Sequence, residues 1–339
     1  VKTVPVEKAV GMVLGHDITR IVPGKFKGRA FRRGTVIQTE DIPALLDLGK
    51  RHIFVLDLDC SHIHEDDAAI RIANAAAGKG IRLTTPSEGR VNLIADHDGL
   101  LTIDVEALSL INHVEDMAFA TLHTGQQVHA EQAIAGTRII PLATKRDRVE
   151  SVEQICAHHF PVISVRPLQP FRVGVVTTGS EIYHGRIKDK FGPVLTAKFE
   201  ALGSRVVRQV FVSDDLNQTV KAIDELIADG ADFIALTGGM SVDPDDQTPS
   251  AIRATGATIV MYGAPIFPGA MFMLAYLNDI PVVGLPGCVM YHQTSIFDLV
   301  IPRILAGDRI KKEDIISFGH GGFCAGCAAC RYPVCSFGK

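Results

Sequence analysis

The sequence predicts an α/β protein whose main domain is a doubly wound, mostly parallel sheet. Smaller mixed α+β domains precede it and a Cys-rich tail follows. Three observations carry this reading. Beyond residue 170, apolar runs of strand length alternate with amphipathic helical stretches, as parallel sheets require. Three of those runs end in Gly-rich turns, Thr177-Thr178-Gly179-Ser180-Glu181, Thr237-Gly238-Gly239-Met240-Ser241 and Gly284-Leu285-Pro286-Gly287. Four of the seven cysteines fall between Cys324 and Cys335.

A chain of 339 residues exceeds one ordinary core, so two or three domains are expected. With 47% hydrophobic and 21% charged residues, the composition is that of a folded globular protein. The net charge of -4 and the lack of a dense Lys/Arg run argue against nucleic acid as a partner. No apolar stretch reaches the roughly 18 residues of a membrane span. The opening residues lack the apolar run of a secretory signal. A cytoplasmic setting is therefore expected, where clustered cysteines read first as metal ligands.

Residues 1–60 read as a small mixed domain. Ala30 to Ile37 is strand, turn, strand; Thr39 is expected to cap a short helix over 41–48, with Gly49 ending it. His52 to Leu56 returns as a strand. Residues 61–168 read as a second mixed α+β domain, with an Ala-rich helix over 67–77 and short strands punctuated by Gly89, Gly99, Gly125 and Gly136. No catalytic signature stands out there, and the histidine pairs His62/His64 and His158/His159 read as structural or solvated. Arg166-Pro167-Leu168-Gln169-Pro170 marks the boundary, because two prolines in four residues resist helix and strand.

The main domain, 171–307, then alternates. A buried-type strand over 172–177 precedes a helix over 191–202 with Val194, Leu195, Phe199 and Leu202 on one face. A strand over 206–212 leads to a helix over 214–229, where Leu216, Val220, Ile223 and Ile227 recur at helical spacing and Ser213 is the expected cap. A strand over 232–236 precedes a helix with Thr248 as cap and Pro249 at its first position. Strands over 258–261, 271–276 and 281–284 lead to one long helix over 289–305. Residues 308–339 form the tail.

A Gly after a strand brings bare N–H groups close to an anion, and neighbouring hydroxyls add donors. Thr178, Gly179, Ser180 and Glu181 meet that description, as do Gly238, Gly239 and Ser241, with Gly287 at the third turn. A single turn of this kind is more often only a tight strand exit. Three at the carboxyl edge of one sheet favour a ligand site, because that edge is where open α/β sheets bind ligands. Asp243, Asp245 and Asp246 crowd the loop before a helix. Carboxylates beside phosphate suit Mg2+, although Asp in a turn or at a helix start is also a common structural device. Asp246 is the candidate catalytic carboxylate.

With these motifs in order, residues 171–306 resemble the molybdopterin-binding domain shared by molybdopterin adenylyltransferases and molybdopterin molybdenumtransferases. The first sixty residues loosely resemble the amino-terminal region of the latter. The resemblance implies that Thr178, Gly179, Ser180 and Glu181 lie on one side of a molybdopterin pocket. It puts Gly238, Gly239, Ser241 and Asp246 on the other side, with Gly287 near the phosphate. It implies a role in molybdenum-cofactor biosynthesis, a small pterin as ligand, and molybdoenzymes or other assembly proteins as partners. It also leaves room for a homo-oligomer. The chain departs from the molybdenumtransferase pattern at Phe267 and Ala270, where a lysine pair is usual, at Ser180, where Asp is usual, and at Cys288, where Asn is usual. Pterin binding is thus the firmer expectation, and molybdenum transfer the further one. A non-catalytic carrier or redox sensor is the alternative, and a nucleotide hydrolase using the same turns a weaker third.

Cys288 at a helix start is either a stabilised thiolate or a buried structural residue, the latter being commoner. In the tail, Cys324-x2-Cys327-x2-Cys330-x4-Cys335 is close to an iron–sulfur run, except for its longer last gap. Four thiolates on Zn2+ compete with that reading, and a disulfide tail is the bland alternative. Successive two-residue gaps lean toward an iron–sulfur cluster.

Overall fold

The computed structural model describes residues 2–22, 26–55, 60–243 and 246–339. They fall into two compact units. The first holds most of residues 1–165, and the second holds Arg166–Lys339 with short stretches at 98–100 and 125–127.

The first unit has two apolar clusters. One gathers Val4, Leu14, Ile37, Leu45 and Ile53 around an antiparallel pair, Lys2–Pro5 with His52–Val55. The other lies between the helix Glu65–Ala76 and a four-stranded sheet. That sheet is ordered Ile81–Leu83, Arg90–Ala95, Ala133–Ile139, Met117–Thr121, antiparallel throughout. Ala68, Ala69, Ala73 and Ala76 are fully buried, and their small side chains let the helix approach Val91 and Leu93 closely. The helix begins two residues before the expected start, because the His64 ring accepts the Asp66 N–H as its cap. Thr39 does not cap the short helix Asp41–Asp47. Glu40 holds the N-cap position, and the Asp41 carboxylate takes the Gln38 N–H at 2.9 Å instead.

The second unit is built on six strands, in the order Arg205–Val212, Arg172–Thr178, Phe233–Thr237, Ile280–Leu285, Met273–Leu277, Thr258–Tyr262. Along the central strands alternate residues serve opposite faces. Val173, Val175, Phe233, Ala235, Val283 and Leu285 join Leu195, Phe199 and Phe297 on one side. Val176, Ile234, Leu236 and Val282 join Ile223, Leu226 and Ile252 on the other. Helices therefore cover both faces, the doubly wound arrangement. Phe199 anchors one face, edge-on to Phe233 and Phe297 at 5.3 and 5.1 Å between ring centres.

The sheet is mixed, which corrects the expectation of a mostly parallel one. The first four strands in spatial order are parallel, but Met273–Leu277 runs antiparallel to both its neighbours. Its link to Ile280–Leu285 is only Asn278-Asp279, far too short for the dozen or more residues that a parallel crossover needs.

Three helix ends also differ from expectation. Asp215, not Ser213, caps Leu216–Ala228, accepting the Gln218 N–H at 2.8 Å. Gln247, not Thr248, holds the N-cap position of Thr248–Ala254. The expected long final helix is two, Cys288–Tyr291 and Ile296–Leu305, because Ser295 and Asp298 form a capping box that starts the second one afresh. Among the described residues no helix is long and apolar enough to cross a membrane.

Candidate functional site

Strand register brings the three turns to one edge. Thr177 lies opposite Thr237, and Thr237 lies opposite Leu285, across adjacent parallel strands. The turns that follow these residues therefore leave the sheet at the same level and side by side. The fourth parallel strand ends beside them, with Thr178 opposite Val212.

The first two turns interlock. Gly238 and Gly239 have φ of +85° and +55°, the left-handed region that favours glycine. A Cβ on Gly238 would stand 2.1 Å from the Thr178 carbonyl oxygen, and one on Gly239 would stand 2.9 Å from Thr248 Oγ1. No side chain fits either place. Thr178 and Thr248 are buried, their hydroxyl oxygens 3.2 Å apart, and Thr248 Oγ1 donates to the Gly238 carbonyl at 2.8 Å. Thr248 is thus a tie between turns and helix, where the sequence suggested only a cap. Above these buried residues Glu181 and Ser241 are exposed to solvent.

Asp246 closes the second turn on itself, its carboxylate accepting the Ser241 N–H at 2.5 Å. Asp214, which the sequence reading passed over, does the same for the first turn, accepting the Ser180 N–H at 2.9 Å. Its signal was available: it lies two residues past Val212, where the strand neighbouring the first turn ends. At the third turn Gly287 has φ of −54° and needs no glycine for its conformation. Its openness is what counts, since the nearest neighbour to a Cβ there is the Phe191 ring at 3.8 Å. Burial raises the Cys288 thiol above its ordinary value, which matches a structural cysteine and not an activated thiolate. Phe267 is 56% exposed and lies 6.4 Å, ring to ring, from Phe323 of the tail.

Metal ligands are a separate matter. Among the described residues no three His, Cys, Asp or Glu side chains are gathered to hold one ion. Asp245 lies outside the described residues, and Asp243 is exposed. Among the described residues, the carboxylates around Asp246 are not gathered as ligands of one ion. Cys324, Cys327, Cys330 and Cys335 are free thiols and line one cavity whose walls include none of the three glycine turns.

The first unit holds a polar cavity of about 250 Å3 that no sequence motif announced. It is lined by His16, Asp17, His64, Glu65, Asp66 and Arg138, among others. His64 is buried, its Nε2 2.8 Å from the Gly15 carbonyl oxygen, and His16 Nδ1 is buried without a partner among the described residues. Burial holds both imidazoles below the ordinary histidine range.

A doubly wound sheet with interlocked glycine turns at the carboxyl edge of its parallel strands defines a ligand-binding α/β domain. Known proteins give that class a family. The profile "Probable molybdopterin binding domain" matches residues 174–306, and a "Domain of unknown function (DUF8806)" matches residues 3–57. A molybdopterin molybdenumtransferase of Bacillus subtilis (strain 168) is 27% identical over 153 residues, 43% of this chain and 35% of that protein. One from Staphylococcus aureus (strain COL) is 28% identical over 130 residues, 36% of this chain and 31% of that protein. The match thus spans about a third of the length of these relatives. Among solved structures, the molybdopterin biosynthesis enzyme MoaB of Thermus thermophilus is 19% identical, with TM-score 0.33, covering 41% of this chain and 98% of that one. The tungsten cofactor synthesizing protein MoaB of Pyrococcus furiosus is 20% identical with TM-score 0.32, covering 42% and 98%. The similarity to the molybdopterin-binding family thus lies in residues 174–306.

Proposed function

We propose that the second unit binds molybdopterin where the three turns leave the sheet, and that the chain works in molybdenum-cofactor biosynthesis as a transferase. One observation carries this reading: Thr177, Thr237 and Leu285 in register, with the first two turns interlocked through Gly238, Gly239, Thr178 and Thr248. Such an edge presents backbone N–H groups to a terminal phosphate, while Glu181, Ser241 and Asp246 supply polar partners for a pterin. Asp246 holds the second turn through Ser241 and is the residue assigned to turnover. No residue is assigned to Mg2+, because among the described residues no carboxylates are gathered beside Asp246 to hold it. Molybdoenzymes or other assembly proteins are the proposed recipients.

Binding without metal transfer is the second reading, favoured by Phe267 and Ala270 standing where a cationic pair would draw molybdate. The two readings part on one experiment. The chain is incubated with molybdopterin without oxygen, desalted, and assayed for retained pterin by fluorescence, against a small background because it has no Trp. Molybdate-dependent product is measured on the same samples. Retention with product supports transfer, and retention alone supports the carrier. No retention at all ends both. Asp246→Ala should abolish product with little loss of fold, and unchanged turnover would remove the assignment. Asp246→Asn, which keeps an acceptor for Ser241, should restore binding if the residue acts by holding the loop.

A further inference from the structure

Cys324, Cys327, Cys330 and Cys335 all line one cavity of about 210 Å3, together with His292 and Thr294 from the loop between the two final helices of the sheet domain. The tail that carries them is docked. Phe267 N–H donates to Gly322 O and Cys324 N–H to Phe267 O, both at 2.8 Å, so residues 322–324 meet the 267 loop in an isolated parallel bridge. Tyr332 donates its hydroxyl to the Asp298 carbonyl at 2.9 Å. That carbonyl stands four residues before Pro302, which has no N–H to give it. Phe337 is buried in the main apolar cluster, with Cys324, Tyr332 and Cys335 packed against it.

The donor set is four sulfurs with no carboxylate lining the cavity, which selects soft metals. Size then separates the candidates. A single Zn2+ draws four sulfurs to about 2.3 Å from one point, whereas these four cysteines line a solvent-open cavity of about 210 Å3, with room for a multi-atom core. Two-residue gaps between the first three cysteines match the way chains wrap iron–sulfur clusters. Thr294 Oγ1 lies 3.1 Å from Cys330 Sγ, where it can donate to a ligating sulfur.

We infer that these four cysteines hold a four-iron, four-sulfide cluster. On binding, each thiol loses its proton to solvent and each sulfur forms one bond to iron. Two ferrous ions, two ferric ions and four sulfides make up the core, so assembly needs no further oxidant. The inference is independent of the pterin reading: a chain that binds no pterin can still hold the cluster.

The full chain is purified without oxygen and its iron, acid-labile sulfide and zinc are measured. About four iron and four sulfide per chain are expected, or the same after supplying ferrous iron, ferric iron and sulfide. A paramagnetic signal should appear on reduction. Cys330→Ser should lose most of the iron, while Cys60→Ser, at an exposed thiol elsewhere, should keep it. Thr294→Ala should keep the iron and lower the reduction potential by removing a hydrogen bond to sulfur. One zinc per chain, a two-iron product, or disulfides with no metal after reconstitution would each overturn the assignment. The wild-type metal count decides even if Cys330→Ser does not fold.

Discussion

In the second unit the candidate site is made mostly of backbone, with Gly238 and Gly239 pressed against Thr178 and Thr248. In the first unit the polar cavity is made of side chains, with His16 and Asp17 brought to His64, Glu65 and Arg138. The contrast has physical consequences. A backbone site depends on a Cβ being absent, which no neighbour can restore. A side-chain site depends on charge and burial, so it responds to pH and tolerates local adjustment.

The sharpest test sets one glycine of each unit against the other. Gly238 and Gly89 both have positive φ, +85° and +73°. A Cβ on Gly238 would meet a backbone carbonyl, whereas one on Gly89 would meet the Glu65 carboxylate, the far end of a side chain that can move. Gly238→Ala should therefore destabilise the second unit by about 2–4 kcal/mol. Gly89→Ala should cost about 1–2 kcal/mol, chiefly backbone strain. Denaturant unfolding of both variants measures the difference, and equal costs would erase the distinction.

Acidification should separate the units next. The imidazoles of His16 and His64 are held below their ordinary value, by burial first and by Lys50 or Arg33 in part. Their folded pKa is lowered, so the unfolded chain binds more protons and stability falls as pH drops below about 6.5. Burial pushes the Glu65 carboxyl upward, which works the other way and makes the decline shallower. In the second unit burial also pushes the Asp308 carboxyl up, but Arg166 and Arg303 outweigh it and hold it below the usual range. That contribution is present above about pH 4 and is lost as pH falls through the lowered value. Amide exchange against pH should show the first unit loosening before the second. His16→Asn should flatten the early decline, and Asp308→Asn the late one.

The smallest effect is a cap. Asp215→Ala removes the acceptor for Gln218 N–H and should cost about 1 kcal/mol. Ser213→Ala should cost almost nothing, reversing what the sequence suggested. A larger loss at Ser213 would restore it as the cap.

The chain's order of residues determined the strand–helix alternation after Arg166, the two-faced strands and the places of the three glycine turns. Those features depend on local periodicity and on residues whose backbone freedom is itself the signal. It also carried the Asn278-Asp279 turn that makes the sheet mixed, although only the pairing of Met273–Leu277 with both neighbours displayed the consequence. Only tertiary structure decided that Thr248 ties two turns, that Asp214 serves the first, and that the tail docks on Phe267 and Asp298. The polar cavity of His16, His64 and Arg138 was decided there too. Its residues are distant in sequence and carry no spacing of their own, so nothing short of the folded chain could place them together.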